Sequence, residues 1–199
     1  MVKRAFIAAL AMVFAIPLVV PAGAADLDKG RRSAEQCVAC HGTNGISQQA
    51  GVPHLAGQGE NYMFRVLCDF HSNEFAGCRT DTAMNDRPPL KVSDIENIAA
   101  WYASLPCPLP ESDKKPEAVP VAVTQACANC HGKDGRTGSK LMPLLAGQRS
   151  EYLLAQLRQF ASKSERRTRE HPLMDAVASR YTDADFQNIA RWYAAQSCR

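Results

Sequence analysis

The chain is one sequence written twice, and that limits what it can fold into more than any other feature. Cys37-Val38-Ala39-Cys40-His41-Gly42 recurs as Cys127-Ala128-Asn129-Cys130-His131-Gly132, ninety residues later. At the same offset Gly45 matches Gly135, and Pro53-His54-Leu55-Ala56-Gly57-Gln58 matches Pro143-Leu144-Leu145-Ala146-Gly147-Gln148. Tyr62, Leu67, Phe70, Arg79 and Met84 match Tyr152, Leu157, Phe160, Arg169 and Met174. The offset then becomes ninety-one, where Ile95, Asn97, Ile98, Trp101, Tyr102 and Cys107 match Phe186, Asn188, Ile189, Trp192, Tyr193 and Cys198. Self-similarity at a fixed period means repeated structural units. We expect one domain over 25–109, a linker over 110–119 and a second domain over 120–199. Five prolines between Pro106 and Pro120, with Glu111, Ser112, Asp113, Lys114 and Lys115 among them, describe an extended, solvated and fairly stiff linker.

Each copy reads as helical. Ile95, Ile98, Ala99 and Tyr102 fall on one face of a helix, as do Phe186, Ile189, Ala190 and Tyr193. Ser93 with Glu96 suggests a capping box at the start of the first, and Thr182 with Asp185 marks the start of the second. Tyr62, Val66 and Phe70, and Tyr152, Gln156 and Phe160, mark another helix per copy. A short helix from about Asp28 to Gln36 is expected to lead into Cys37. No stretch alternates as a strand would, so the fold class is all-α. Domains of roughly eighty residues bury little surface unaided, and a large apolar group at the centre of each would make up the deficit.

Cys-x-x-Cys-His is the attachment signal for such a group, c-type haem. Two thiols one helical turn apart can each add to a vinyl group of the porphyrin, and the adjacent imidazole becomes an axial ligand. Cys37 and Cys40 would hold one haem with His41 on its iron; Cys127, Cys130 and His131 would hold the other. A structural zinc site would need the two cysteine pairs far closer in sequence than ninety residues. A thioredoxin-like redox site would need a surrounding βαβ pattern, which is missing.

The remaining axial position needs a ligand from elsewhere. Met84 and Met174 sit at matched places ahead of the last helix of each copy, and a thioether favours ferrous iron. Met63 and Met142 have no counterpart methionine. His54, His71 and His171 are not repeated either and read as surface or locally hydrogen-bonded residues. A ligating imidazole donates its other N–H to a fixed acceptor, and the carbonyls of Pro53 and Pro143 are the expected acceptors.

The first two dozen residues stand apart. Lys3 and Arg4 precede an apolar run from Ala5 to Val20, and Ala22-Gly23-Ala24 supplies small residues for cleavage. That is the pattern of a secretory signal over residues 1–24; the run is short for a membrane anchor. Export to the periplasm follows, and with it an oxidising environment. Residues 25–109 carry 7 Lys/Arg and 10 Asp/Glu, whereas residues 117–199 carry 12 and 8. That lopsided charge can steer a partner's approach or simply spread over solvated surfaces. The basic run from Lys163 to Arg169 reads as a solvated loop or as a docking site. Arg79 and Arg169, matched between copies, are candidates for a haem propionate or a loop contact.

With the CVACHG and CANCHG motifs, the PHLAGQ and PLLAGQ turns, the late methionines and the IAAWYAS and IARWYAA helices, the whole mature chain resembles the dihaem cytochrome c4 family. The resemblance implies two class I cytochrome c-like domains related by a pseudo-two-fold axis, with haem edges close across the interface. It implies two covalently bound haem c, axial ligation by His41, Met84, His131 and Met174, and electron transfer between respiratory complexes towards a terminal oxidase. The expected partners are redox proteins, with no nucleic acid and with peripheral membrane contact left open. An electron-accepting subunit of a periplasmic dehydrogenase, for instance in flavin-linked sulfur oxidation, is the alternative. A dihaem peroxidase would need an open iron position that paired His and Met ligands do not leave.

Four cysteines fall outside the motifs. Cys68 and Cys78 are ten residues apart in the first copy, and a bridge there would pin the loop leading to Met84. Cys107 and Cys198 hold equivalent positions, and equivalent residues can meet on a two-fold axis; a bridge between them would lock the copies together. Free thiols or pairing with another subunit are the alternatives.

Overall fold

The computed structural model describes residues 24–71, 84, 86–111, 118–164, 168–169 and 171–198. Among these the regular elements are helical. In the first lobe α1 spans Leu27–Ser33 and passes through a 3₁₀ turn, Ala34–Cys37, into α2, Val38–His41; α3 spans Glu60–His71 and α4 spans Val92–Ser104. In the second lobe a π-helical turn, Val123–Cys127, leads into α5, Ala128–His131; α6 spans Ser150–Ala161, α7 Pro172–Ala178 and α8 Asp183–Ala194. None of these helices is long and apolar enough to cross a membrane.

Each lobe has its own core on the faces the sequence periodicity marks. Ile95, Ile98, Ala99 and Tyr102 of α4 are buried together with Met63, Leu67 and Cys68 of α3. Phe186, Ile189, Ala190 and Tyr193 of α8 are buried with Leu153 and Phe160 of α6. Met63 is thus a core residue. The lobes differ at their entries: α1 crosses α4 so closely that a Cβ on Gly30 would collide with the Asn97 carbonyl. Asp26 caps α1 by accepting from Lys29 N, and its own N–H donates to Asn97 Oδ1, 2.8 Å away.

Capping departs from expectation at one helix. α4 starts at Val92 with Lys91 as its N-cap, so Ser93 is already inside the first turn and is not the capping residue. The box on Thr182 and Asp185 does form, because Thr182 is extended and frees its hydroxyl for the Asp185 N–H. Next to it Arg158 of α6 donates to both carboxylate oxygens of Asp183, at 2.6 and 2.9 Å.

Those bonds, with a further one from Gln187, hold the Asp183 carboxyl down at about 2. A depressed folded-state pKa gives stability that is complete above about pH 4 and is lost as pH falls towards 2. The pair is exposed, so its effect is small. Melts of the protein and of Asp183→Asn should differ at neutral pH and converge near pH 2. A gap of constant size down to that pH would show that the carboxylate contributes nothing through its charge.

The lobes are tied covalently: Cys107, just beyond α4, and Cys198, just beyond α8, form a disulfide. Gly57, at φ +70°, lies under it, where a Cβ would run into Cys107. Cys78 lies outside the described residues, and so does the bridge expected from Cys68, which is buried in α3. The chain following Cys107 is anchored at its start while staying exposed at Leu109 and Glu111: Pro108 is buried, Glu111 N donates to Ala194 O at 3.1 Å, and Glu111 Oε2 accepts from Ser150 N. Residues 112–117 of the linker lie outside the described residues.

Candidate functional site

A largely apolar cavity of about 500 Å³ runs between the lobes, and both Cys-x-x-Cys-His motifs open into it. Cys37, Cys40, His41 and Met84 line it from one copy, and Cys127, Cys130, His131 and Met174 from the other. The sequence-matched candidates therefore converge on one space. Arg79 lies outside the described residues.

The two histidines are set alike. α2 and α5 each end at the histidine, and Gly42 and Gly132 then turn the chain away. His41 Nδ1 donates to the Pro53 carbonyl at 3.0 Å, and His131 Nδ1 donates to the Pro143 carbonyl at 3.3 Å. A carbonyl can only accept, so the proton sits on Nδ1 and the lone pair is left on Nε2. Burial lowers the pKa of both imidazoles, offset in part by the proline carbonyls. Both rings are thereby kept neutral, the form that binds iron.

Cys37 and Cys127 are unlike redox thiols. Burial pushes the Cys127 thiol up to about 11, and burial also raises Cys37. Reactive dithiols instead have a depressed pKa. Two cysteine thiols one turn apart, a neutral imidazole with a free Nε2, a thioether and an apolar wall form a donor set that suits a thioether-linked haem in each lobe.

Other candidates fall into distinct places. Arg169 reaches across the lobes: Nη2 donates to the Tyr62 hydroxyl at 3.1 Å, Nη1 to Gln156 Oε1 at 2.5 Å and to the Tyr152 hydroxyl at 3.4 Å. Its guanidinium also lies 4.6 Å from the centre of the Phe160 ring. It is a cation on the cavity wall, held by two hydroxyls and an amide oxygen, and it suits a carboxylate such as a propionate. His54 and His71 are buried and not on the surface. His54 Nδ1 accepts from Ser47 N, whereas His71 Nδ1 has no hydrogen-bond partner among the described residues. His171 caps α7 through Met174 N. Met142 lines the cavity beside Pro143.

Gln58 and Gln148 carry no role in the sequence reading, though both belong to the repeated turn. They are buried between the lobes, and their retention in both halves, next to a glycine, was the available signal. Gln58 exchanges two bonds with Leu144 of the second lobe, and Gln148 exchanges two with His54 of the first. The symmetry of that exchange makes the relation between the lobes a pseudo-two-fold one.

Comparison with known proteins agrees with this arrangement. The cytochrome c family model matches residues 27–106 and again 119–194. A thiosulfate dehydrogenase electron acceptor of Thiomonas intermedia is 33% identical over 177 residues, 82% of this chain and 79% of that protein. A cytochrome c4 of Thiocapsa roseopersicina is 30% identical over 167 residues, 78% and 84% of the two chains. Among solved structures, reduced recombinant cytochrome c4 from Pseudomonas stutzeri superposes with a TM-score of 0.70 at 26% identity, over 87% of this chain and 100% of that one.

Proposed function

The chain belongs to the cytochrome c family, as a tandem dihaem member of the cytochrome c4 kind, and from that premise we propose that it carries electrons between respiratory complexes, towards a terminal oxidase. It binds two haem c covalently and is an electron carrier, not an enzyme. In this reading Cys37 and Cys40 attach the first haem and Cys127 and Cys130 the second. His41 and Met84 would hold one iron, and His131 and Met174 the other. Bound in this way, each haem supplies one-electron chemistry between its ferric and ferrous forms.

The protein's own residues set how that exchange runs. Pro53 and Pro143 hold the Nδ1 protons, fix the ring planes and raise the basicity of Nε2. The methionine thioethers favour the ferrous state, as does an apolar surround. With His and Met both engaged, no position would be left for peroxide. Arg169, half-buried between tyrosines of both lobes, would neutralise a propionate at the interface. The signal-like residues 1–24 support export to the periplasm, where the Cys107–Cys198 bridge would persist.

The observation that carries this reading is the pair of matched His–Pro contacts opening into one cavity shared by both lobes. An optical redox titration, with haem quantified per chain, tests it. Two haems per chain, low-spin iron and a methionine-to-iron charge-transfer band in the oxidised protein are expected. Met84→Ala and Met174→Ala should each remove about half of that band. One haem per chain, or a high-spin wild-type site, would overturn it.

A second reading has a specific observation behind it: the relative from Thiomonas intermedia is named as the electron acceptor of a thiosulfate dehydrogenase. Here the donor would be a periplasmic sulfur-oxidising dehydrogenase and this chain its acceptor. Stopped-flow reduction by such a dehydrogenase with thiosulfate, set against reduction by a quinol-oxidising complex, separates the two.

A further inference from the structure

The Gln58 and Gln148 exchange does more than glue the lobes. The carbonyl that accepts from His41 and the N–H that Gln148 receives belong to one peptide unit, Pro53–His54. Its oxygen lies 3.0 Å from His41 Nδ1, and its N–H donates to Gln148 Oε1 at 2.8 Å. The second lobe repeats the pattern. The Pro143–Leu144 unit turns its oxygen to His131 Nδ1 at 3.3 Å, and its N–H donates to Gln58 Oε1 at 2.7 Å. The return bonds, Gln148 Nε2 to His54 O at 2.9 Å and Gln58 Nε2 to Leu144 O at 3.1 Å, lock each amide in place. Each glutamine oxygen also accepts from the next backbone N–H of its own lobe, Gly59 or Arg149.

We propose that Gln148 is a positioning residue for the haem of the first lobe and Gln58 for that of the second, each tuning the opposite lobe's proximal histidine through a single shared peptide unit. The inference rests on His41 and His131 being axial ligands. An amide whose N–H is engaged becomes a stronger acceptor at its carbonyl, because hydrogen bonds in a chain polarise one another. A stronger acceptor draws the Nδ1 proton and makes Nε2 more basic. A more basic ligand stabilises ferric iron and lowers the potential. Each lobe therefore holds down the potential of the other's haem, and a lobe on its own would have a higher one. The glutamines are buried, so water does not readily replace them.

The experiment uses the holoprotein with Gln148→Leu, Gln58→Leu and Gln148→Glu. Histidine labelled at nitrogen gives hyperfine-shifted signals that identify the axial ligands and follow each haem through a redox titration. Amide exchange at His54 and Leu144 reports the bonds themselves. In Gln148→Leu the His54 amide should lose protection, and the first lobe's haem should rise in potential more than the second's. In Gln58→Leu the Leu144 amide and the second lobe's haem should respond instead. Gln148→Glu keeps an acceptor of the same reach, so the first haem should not rise. Equal shifts at both haems, a larger shift in the substituted lobe or no shift would overturn the proposal. Wild-type spectra without axial histidine signals would instead remove the ligand assignment beneath it.

Discussion

Without its two haems the chain is expected to lose cooperative folding altogether. The space they would leave is about 500 Å³ and largely apolar. Wetting apolar wall that would otherwise be covered costs about 25 cal/mol per Å², so a cleft of this size forfeits on the order of 10 kcal/mol. A folded protein has only about 5–15 kcal/mol in total. Water entering the cleft would relieve the void but would wet the same apolar walls. The lobes cannot close over it either, because α2 and α5 are single turns and their histidines are held by distant loops through Pro53 and Pro143. The check is a variant with Cys37, Cys40, Cys127 and Cys130 all replaced by alanine, or the chain produced where haem is not attached. Circular dichroism should show much reduced helix and no sharp thermal transition. A cooperative melt near that of the holoprotein would mean that the two small cores suffice.

Removing the bridge between the lobes should give the second largest effect. Cys107 and Cys198 are 91 residues apart, and opening a loop of that size frees the unfolded chain by about 4–5 kcal/mol. For a protein of this length the melting temperature should fall by on the order of 10 °C. The bridge also fixes the ends of α4 and α8, the equivalent last helices. Cys107→Ser with Cys198→Ser is therefore expected to split the melt into two transitions, one per lobe. A change within about 2 °C, with a single transition, would assign the coupling to the Gln58 and Gln148 bonds and not to the sulfurs.

Much of this molecule is legible before any coordinates. The heptad-like spacing of Ile95, Ile98, Ala99 and Tyr102 fixes which face of α4 is buried, because a helix returns to the same side every 3.6 residues. The Thr182–Asp185 box is equally local. Ser93 shows the limit of such reasoning, since a capping pattern also fits one residue inside a helix and the backbone at Lys91 decides where the helix starts. His54 and His71 show another limit. Sequence marks them as polar and unrepeated, but only packing determines that both are buried.

The order of residues by itself determined the duplication, the two attachment motifs, the helical class and the candidate ligands, since each rests on spacing along the chain or on comparing one half with the other. It also allowed the Cys107–Cys198 bridge as one of several pairings, through the equivalence of the two positions. Tertiary structure decided what spacing cannot encode. It brought Cys107 and Cys198 together, set the Pro53 and Pro143 carbonyls against the histidines, and sent Arg169 across to Tyr62. Above all, it paired Gln58 with Leu144 and Gln148 with His54, contacts between residues 86 and 94 apart. Such contacts depend on how two complete lobes turn towards each other, and that orientation is a property of their assembled surfaces and not of any local stretch of chain.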